Sequence, residues 1–109
     1  MDLADALLVV AEGMRSGDAR DALGGTYHLA GRGSCSWAEF ASEIFRCSAR
    51  LGGPSARVVP ISTGEFPTVA VRPRYSLLDS GRFEREFGFT MPDWCAGVAE
   101  VVRRLVEAA

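Results

Sequence analysis

Three stretches of this chain repeat apolar residues at the spacing of an amphipathic helix. They cover residues 2–15, 37–50 and 94–105. In each stretch the apolar side chains fall on one face and charged or small residues on the other. A helix of this kind is stable only when its apolar face is covered. The chain is therefore expected to fold around helices that each bury one face.

Local signals predict where these helices begin and end. Ser36 and Glu39 have the spacing of a capping box, in which each side chain bonds the backbone N–H of the other residue. Gly17 is expected to end the first helix, Gly52 follows the second, and Pro92 stands at the start of the last. The apolar stripe of the second helix, which includes Trp37, is expected to belong to the core.

A shorter fourth helix is predicted near residue 80. Asp79 or Ser80 can cap its start, Phe83 and Phe87 stack one turn apart, and Gly88 supplies the left-handed residue that ends it. The surrounding chain has the composition of irregular structure.

Two short β-prone runs complete the predicted elements. Residues 26–30 follow a polar turn through Asp21, and residues 58–61 are interrupted by Pro60, which favours an edge or a strand end. The expected fold class is thus α/β, an α+β-like small lobe in which helices pack with short strands. Residues 1–109 are expected to form a single domain.

Composition excludes several classes of function. Net charge is −2, and the twelve cations are all arginines scattered along the chain, so no nucleic-acid partner is expected. No basic leader or long apolar run indicates a membrane. Cys35, Cys47 and Cys95 form no C-x-x-C pair and no ligand spacing around His28. The chain is expected to be cytoplasmic, to bind no metal, and to bury its cysteines as small hydrophobes.

Catalysis by this chain alone is not expected. Lysine is absent, and His28, the only imidazole, is expected to be partly buried in a strand. Gly31-Arg32-Gly33 begins like a dinucleotide-binding loop, but Ser36 stands where the third glycine belongs. A structural turn is the better interpretation. No catalytic or cofactor-binding residue is therefore assigned.

Residues 62–74 are predicted to form an irregular surface segment that contains two prolines. Pro73 stiffens the backbone between Arg72 and Arg74, and a planar guanidinium suits the oxygens of a diphosphate. Judged by residue types alone, two ordinary surface arginines remain the favoured interpretation.

Five blocks in the same order make the chain resemble a known family. The blocks are G-T-Y-H-L-A-G (25–31), S-W-A-E-F-A (36–41), P-I-S-T-G-E-F-P-T (60–68), R-P-R-Y-S-L-L-D-S (72–80) and F-G-F-T-M-P-D-W (87–94). They resemble the C-terminal part of the dTDP-4-dehydrorhamnose reductases, which are extended short-chain dehydrogenase/reductases. This family uses NADPH, or NADH, to reduce dTDP-4-dehydro-L-rhamnose to dTDP-L-rhamnose.

The resemblance implies a sugar-nucleotide-binding part without the N-terminal Rossmann domain, whose cofactor loop and Tyr-x-x-x-Lys pair are not in this sequence. It implies no cofactor in this chain and a substrate-side role for Arg72 and Ser76. The expected partners are a dTDP-sugar nucleotide and either the Rossmann half or a second copy. Relatives often have arginine where Val71 stands and asparagine where Tyr75 stands, and Arg74 is a candidate replacement for the missing cation.

A second function remains open at this point. The same fold can serve as a non-catalytic protein-interaction or regulatory module, as in the related regulatory subunit of methionine adenosyltransferase. The sequence alone does not separate the two.

Overall fold

The computed structural model describes residues 2–17 and 24–109 and contains four α-helices. They are α1 (Asp2–Ser16), α2 (Trp37–Arg50), α3 (Gly81–Phe87) and α4 (Trp94–Ala108), and a short 3₁₀ turn lies at Thr63–Glu65. All four helices lie where the apolar periodicity predicts them. The predicted turn at Asp21 lies outside the described residues.

The prediction of an α/β fold is wrong. Residues 26–30 and 58–61 are irregular, and pairing in the described chain is limited to an isolated parallel bridge between Arg32 and Asp93. A strand exists only where a second strand takes up its backbone groups, and β propensity alone cannot supply that partner. The N–H of Ala30, for example, donates to the Ser80 hydroxyl at 3.0 Å.

The described residues divide into two compact units. The first unit comprises the described part of Met1–Arg32 together with Leu77–Asp93. Within it α1 packs against α3, with Ala6 and Phe83 buried. Phe83 and Phe87 stack with ring centroids 4.8 Å apart, as their spacing predicts. The left-handed Gly88, with φ of 64°, ends α3 as expected.

Arg82 of α3 contacts residues 24–27. Its guanidinium carbon lies 4.3 Å from the centre of the Tyr27 ring, a cation–π contact. It also donates to Glu86 at 3.0 Å and to the carbonyl of Gly24 at 3.3 Å. The Tyr27 hydroxyl donates to the same Glu86 carboxylate. These hydrogen bonds hold the pKa of Glu86 below its ordinary value.

The second unit comprises Gly33–Ser76 and Trp94–Ala109, and its centre is the packing of α2 against α4. The buried side chains are Cys47, Val98 and Val102. The partly buried side chains packed around them are those of Phe40, Ile44, Trp94 and Val106. Both capping-box bonds of α2 are present, so that prediction is confirmed.

Trp37 departs from the predicted core. Its side chain is 86% exposed and touches only the edge of the Phe40 ring among the described aromatic contacts. Trp37 is the first residue of α2, and the side chains of this helix that pack on the core begin one turn later, at Phe40. The predicted stripe is therefore partly buried from Phe40 onward and exposed at its start.

A tight corner follows α2. The buried Ser48 hydroxyl donates to the carbonyl of Pro54 at 2.6 Å, and the N–H of Gly53 donates to the carbonyl of Ser48 at 2.9 Å. A Cβ placed on Gly53 would lie 2.6 Å from the Ser48 hydroxyl and 2.7 Å from a methyl group of Val106. Only glycine fits this corner without displacing its neighbours.

Gly53→Ala is expected to destabilise the chain by about 1–3 kcal/mol, the usual cost of overpacking a close-packed site. Gly97 in α4 is the matched control, because a Cβ there meets nothing within 4 Å. Gly97→Ala should stabilise the chain by about 0.5–1 kcal/mol through helix propensity. Urea unfolding of both variants measures the difference. Equal stabilities would contradict the described corner.

The ion pairs of Glu100 on α4 are expected to make stability depend on pH. Arg103 and Arg104 donate to its carboxylate, at 3.1 and 2.6 Å, and lower its pKa to about 2. Because the folded pKa lies below the unfolded value, the stabilisation is complete above the unfolded pKa and is lost as the pH falls toward 2. Between the unfolded pKa and pH 2, the melting temperature should fall more steeply with decreasing pH for the wild type than for Glu100→Gln. The difference is small because the pairs are exposed. Equal slopes of melting temperature against pH in the two proteins would show that folding does not change the pKa of Glu100.

Candidate functional site

The candidate site is an irregular segment of the second unit, residues 66–76, called here the arginine loop. It begins after the 3₁₀ turn, where Glu65 accepts from both the N–H and the hydroxyl of Ser62 at 2.7 Å. These two bonds lower the pKa of Glu65 and commit its carboxylate to the turn. The S-x-x-E spacing of Ser62 and Glu65 is a capping signal that can be read directly from the sequence.

Every residue of the arginine loop is exposed. This confirms the predicted surface segment. Its apolar side chains are exposed as well: Phe66 at 65%, Tyr75 at 77%, and Val69 and Val71 completely. Exposed aliphatic and aromatic side chains close together in sequence are typical of a surface that binds something.

Arg72 and Arg74 carry the only charges of this loop. Within the described residues neither guanidinium makes an ion pair or a hydrogen bond. By contrast, Arg46, Arg82 and Arg103 each pair with a glutamate on their own helix. The two loop cations are therefore available to an anion without first breaking an internal contact.

The arginine loop can act chemically as a binding surface. Two guanidinium groups can donate to phosphate oxygens in a bidentate manner, and the hydroxyls of Tyr75 and Ser76 can donate or accept. The fixed φ of Pro73 restricts the backbone between the arginines. The loop contains no carboxylate, imidazole or thiol, so it supplies no general base of its own to activate these hydroxyls.

Asp79 and His28 lie outside the arginine loop. The Asp79 carboxylate accepts from the N–H of Gly81 at 2.8 Å at the start of α3, which is the expected capping role. His28 is exposed, so the prediction of a partly buried histidine is wrong. The cause is again the missing sheet, because a strand without a sheet has no buried face.

The helix that follows the Gly31-Arg32-Gly33 turn, α2, begins with a side-chain cap. Ser36 accepts from the N–H of Glu39 at 3.2 Å, and Glu39 accepts from the N–H of Ser36 at 2.6 Å. Two backbone donors at the start of α2, the N–H groups of Ser36 and Glu39, are thus already bonded to side chains. The N–H of Arg32 donates to the carbonyl of Pro92 at 2.9 Å, which gives the turn a structural role.

An open groove of about 610 Å³ lies in the second unit beside α2 and the start of α4. Trp94, Cys35 and Cys95 line it together with the ion pair between Glu43 and Arg46. Neither Arg72 nor Ser76 lines this groove. Its polar groups are largely bonded to each other, and Glu43 has a lowered pKa because Arg46 donates to it.

The three cysteines differ in burial. Cys47 is buried in the helix–helix core, Cys95 is partly buried and Cys35 is exposed. The expectation of a small buried hydrophobe is therefore correct for Cys47 and wrong for Cys35. Residual desolvation and the nearby Glu39 raise the pKa of the Cys35 thiol.

The described residues contain neither a candidate metal cluster nor a helix able to cross a membrane. Their histidines, cysteines and carboxylates form no cluster of three or more that could hold a metal ion. None of their helices has the length and apolar character needed to span a bilayer.

Comparison with known proteins decides the family. A model of the RmlD substrate binding domain matches residues 1–107. The chain belongs to this family. The resemblance seen in the five sequence blocks is therefore confirmed.

Three curated relatives of this RmlD domain are each named dTDP-4-dehydrorhamnose reductase. The protein from Sinorhizobium fredii is 39% identical over 107 residues, covering 98% of this chain and 34% of its own length. The Burkholderia thailandensis protein is 34% identical over 101 residues, covering 89% and 34%. The Escherichia coli protein is 32% identical over 83 residues, covering 74% and 28%. The chain thus spans about a third of the length of the relatives it matches.

Proposed function

We propose that this chain is the sugar-nucleotide-binding part of a dTDP-4-dehydrorhamnose reductase. The intact enzyme would reduce dTDP-4-dehydro-L-rhamnose to dTDP-L-rhamnose with NADPH or NADH. The chain would bind the dTDP-sugar, and the part of the relatives outside the match would hold the nicotinamide cofactor. Family membership over residues 1–107 is the observation that carries the proposal.

The arginine loop supports the binding role. Arg72 and Ser76 occupy the positions that the family resemblance associates with substrate, and both are exposed. A nucleotide sugar carries a diphosphate, which matches a guanidinium that has no internal partner among the described residues. The diphosphate would accept from Arg72, while the Ser76 hydroxyl would bond a neighbouring oxygen.

Helix α1 supports the proposal of a missing half. Ala6 of α1 is buried, whereas Leu3, Leu7 and Met14 are 53–62% exposed. At 3.6 residues per turn these three side chains fall on one face, called here the leucine stripe. A helix that packs through alanine and exposes its larger apolar residues is poorly covered. We assign this face to the Rossmann half of the enzyme.

Titration of the 109-residue chain with dTDP-L-rhamnose tests the binding role. In ¹H–¹⁵N spectra, the amides of residues 66–76 should shift in a saturable manner, with those of Arg72 and Ser76 among the most affected. Glucose 1-phosphate is the control, since it has a sugar and one phosphate but lacks the diphosphate and the nucleoside. Unshifted loop amides, or equal shifts with both ligands, would contradict the proposal.

A further inference from the structure

Tyr75 is an aromatic ring that the chain itself does not use. The ring is 77% exposed, and among the described residues it makes no aromatic contact, cation–π contact or hydrogen bond. Tyr27 is the opposite case, because its ring packs on Phe83 and Phe87 and lies under Arg82. One tyrosine stabilises the fold, and the other offers a free face.

The chain around Tyr75 places this free face beside uncompensated positive charge. Arg74 precedes it directly, and consecutive Cα atoms are about 3.8 Å apart. Arg72 lies two residues further back, and the nearest carboxylates in sequence, Glu65 and Asp79, are bonded to the backbone N–H groups of Ser62 and Gly81. The ring and the two cations are therefore carried by a backbone stretch of at most about 11 Å.

From this arrangement we infer that Tyr75 stacks on the nucleobase of a bound nucleoside diphosphate while Arg74 joins Arg72 on the diphosphate. The inference rests on the proposed function and adds to it the part of the ligand that each residue recognises. Aromatic stacking tolerates every base, because each base has a π face. The ring should therefore distinguish nucleoside diphosphates from inorganic diphosphate without selecting thymine over uracil.

Calorimetric titration of the 109-residue chain with dTDP, UDP and inorganic diphosphate tests this inference. Tyr75→Leu should weaken dTDP and UDP binding by about tenfold each, the loss expected of one stacked base, and leave inorganic diphosphate unchanged. Tyr75→Phe, which keeps the ring and removes the hydroxyl, should bind all three ligands like the wild type. Arg74→Gln should weaken all three.

The outcomes separate the inference from the proposed function. Normal dTDP binding by Tyr75→Leu, with weakened binding by Arg72→Gln, would overturn the stacking role and leave the substrate-binding role standing. Loss of binding in Tyr75→Phe as well would assign the effect to the hydroxyl and also overturn stacking. No dTDP binding by the wild-type chain would overturn both. Tyr75 is exposed, so unchanged thermal melts of its variants are expected and serve as the folding control.

Discussion

Replacing Arg72 with glutamine is expected to weaken dTDP-L-rhamnose binding by more than tenfold. A hydrogen bond to a charged group contributes about 1.5–3 kcal/mol, and the neutral amide cannot replace the charge or the bidentate geometry. The side chain has no partner among the described residues, so folding should not change. Calorimetry at low ionic strength measures the affinity, since salt screens exposed charges.

Arg57 provides the matched control for Arg72. It is also exposed and also without an ion pair among the described residues, but it lies outside the arginine loop. Arg57→Gln removes the same charge from the same chain and should leave the affinity nearly unchanged. Equal weakening by both variants would mean that the ligand responds to net charge and would remove Arg72 from the site.

Placing a charge in the leucine stripe is expected to weaken assembly with the Rossmann half strongly. Leu7 is 62% exposed in this chain, so Leu7→Arg should fold normally. In the assembled protein the guanidinium would be buried without a partner, and a loss of at least about 2 kcal/mol, or about thirtyfold, is expected. The binding partner for the measurement is the separately produced part of Sinorhizobium fredii dTDP-4-dehydrorhamnose reductase that precedes the matched region.

Leu8 is the control for the leucine stripe. It has nearly the same exposure, 68%, but lies about 100° further around α1. Leu8→Arg should therefore retain more of the affinity than Leu7→Arg. Sedimentation of the chain alone belongs to the same experiment. If wild-type chains form stable dimers that Leu7→Arg dissociates, and do not bind the reductase part, the stripe covers a second copy and the assignment to the Rossmann half is wrong.

The helices could be predicted from the sequence because their causes are local. The Ser36 capping box, the stacked Phe83 and Phe87, and the left-handed Gly88 each depend on residues at most four positions apart. The strands could not be predicted in this way. Strand pairing depends on a partner distant in sequence, and in the described chain residues 26–30 contact α3 and Ser80 instead.

The same limit applies to burial and to the site. The contact between Arg82 and Tyr27 joins residues 55 positions apart, so no local sequence motif predicts it. Burial of His28 and Trp37 was inferred from elements whose neighbours were unknown. Exposure of residues 62–74 was predictable from two prolines and the absence of helical period. The roles of Arg72 and Ser76 came from the family resemblance and remain predictions.

Reconstitution of the reductase tests most directly whether this chain binds the substrate while a separate part carries out the reduction. The 109-residue chain, the preceding part of the Sinorhizobium fredii protein and their mixture would each receive dTDP-4-dehydro-L-rhamnose and NADPH, with nicotinamide absorbance as the readout. Oxidation of NADPH is expected only in the mixture, and less of it with Arg72→Gln. Oxidation by the chain alone, or none in a mixture whose two parts bind each other, would contradict a substrate-binding part that depends on a separate catalytic half.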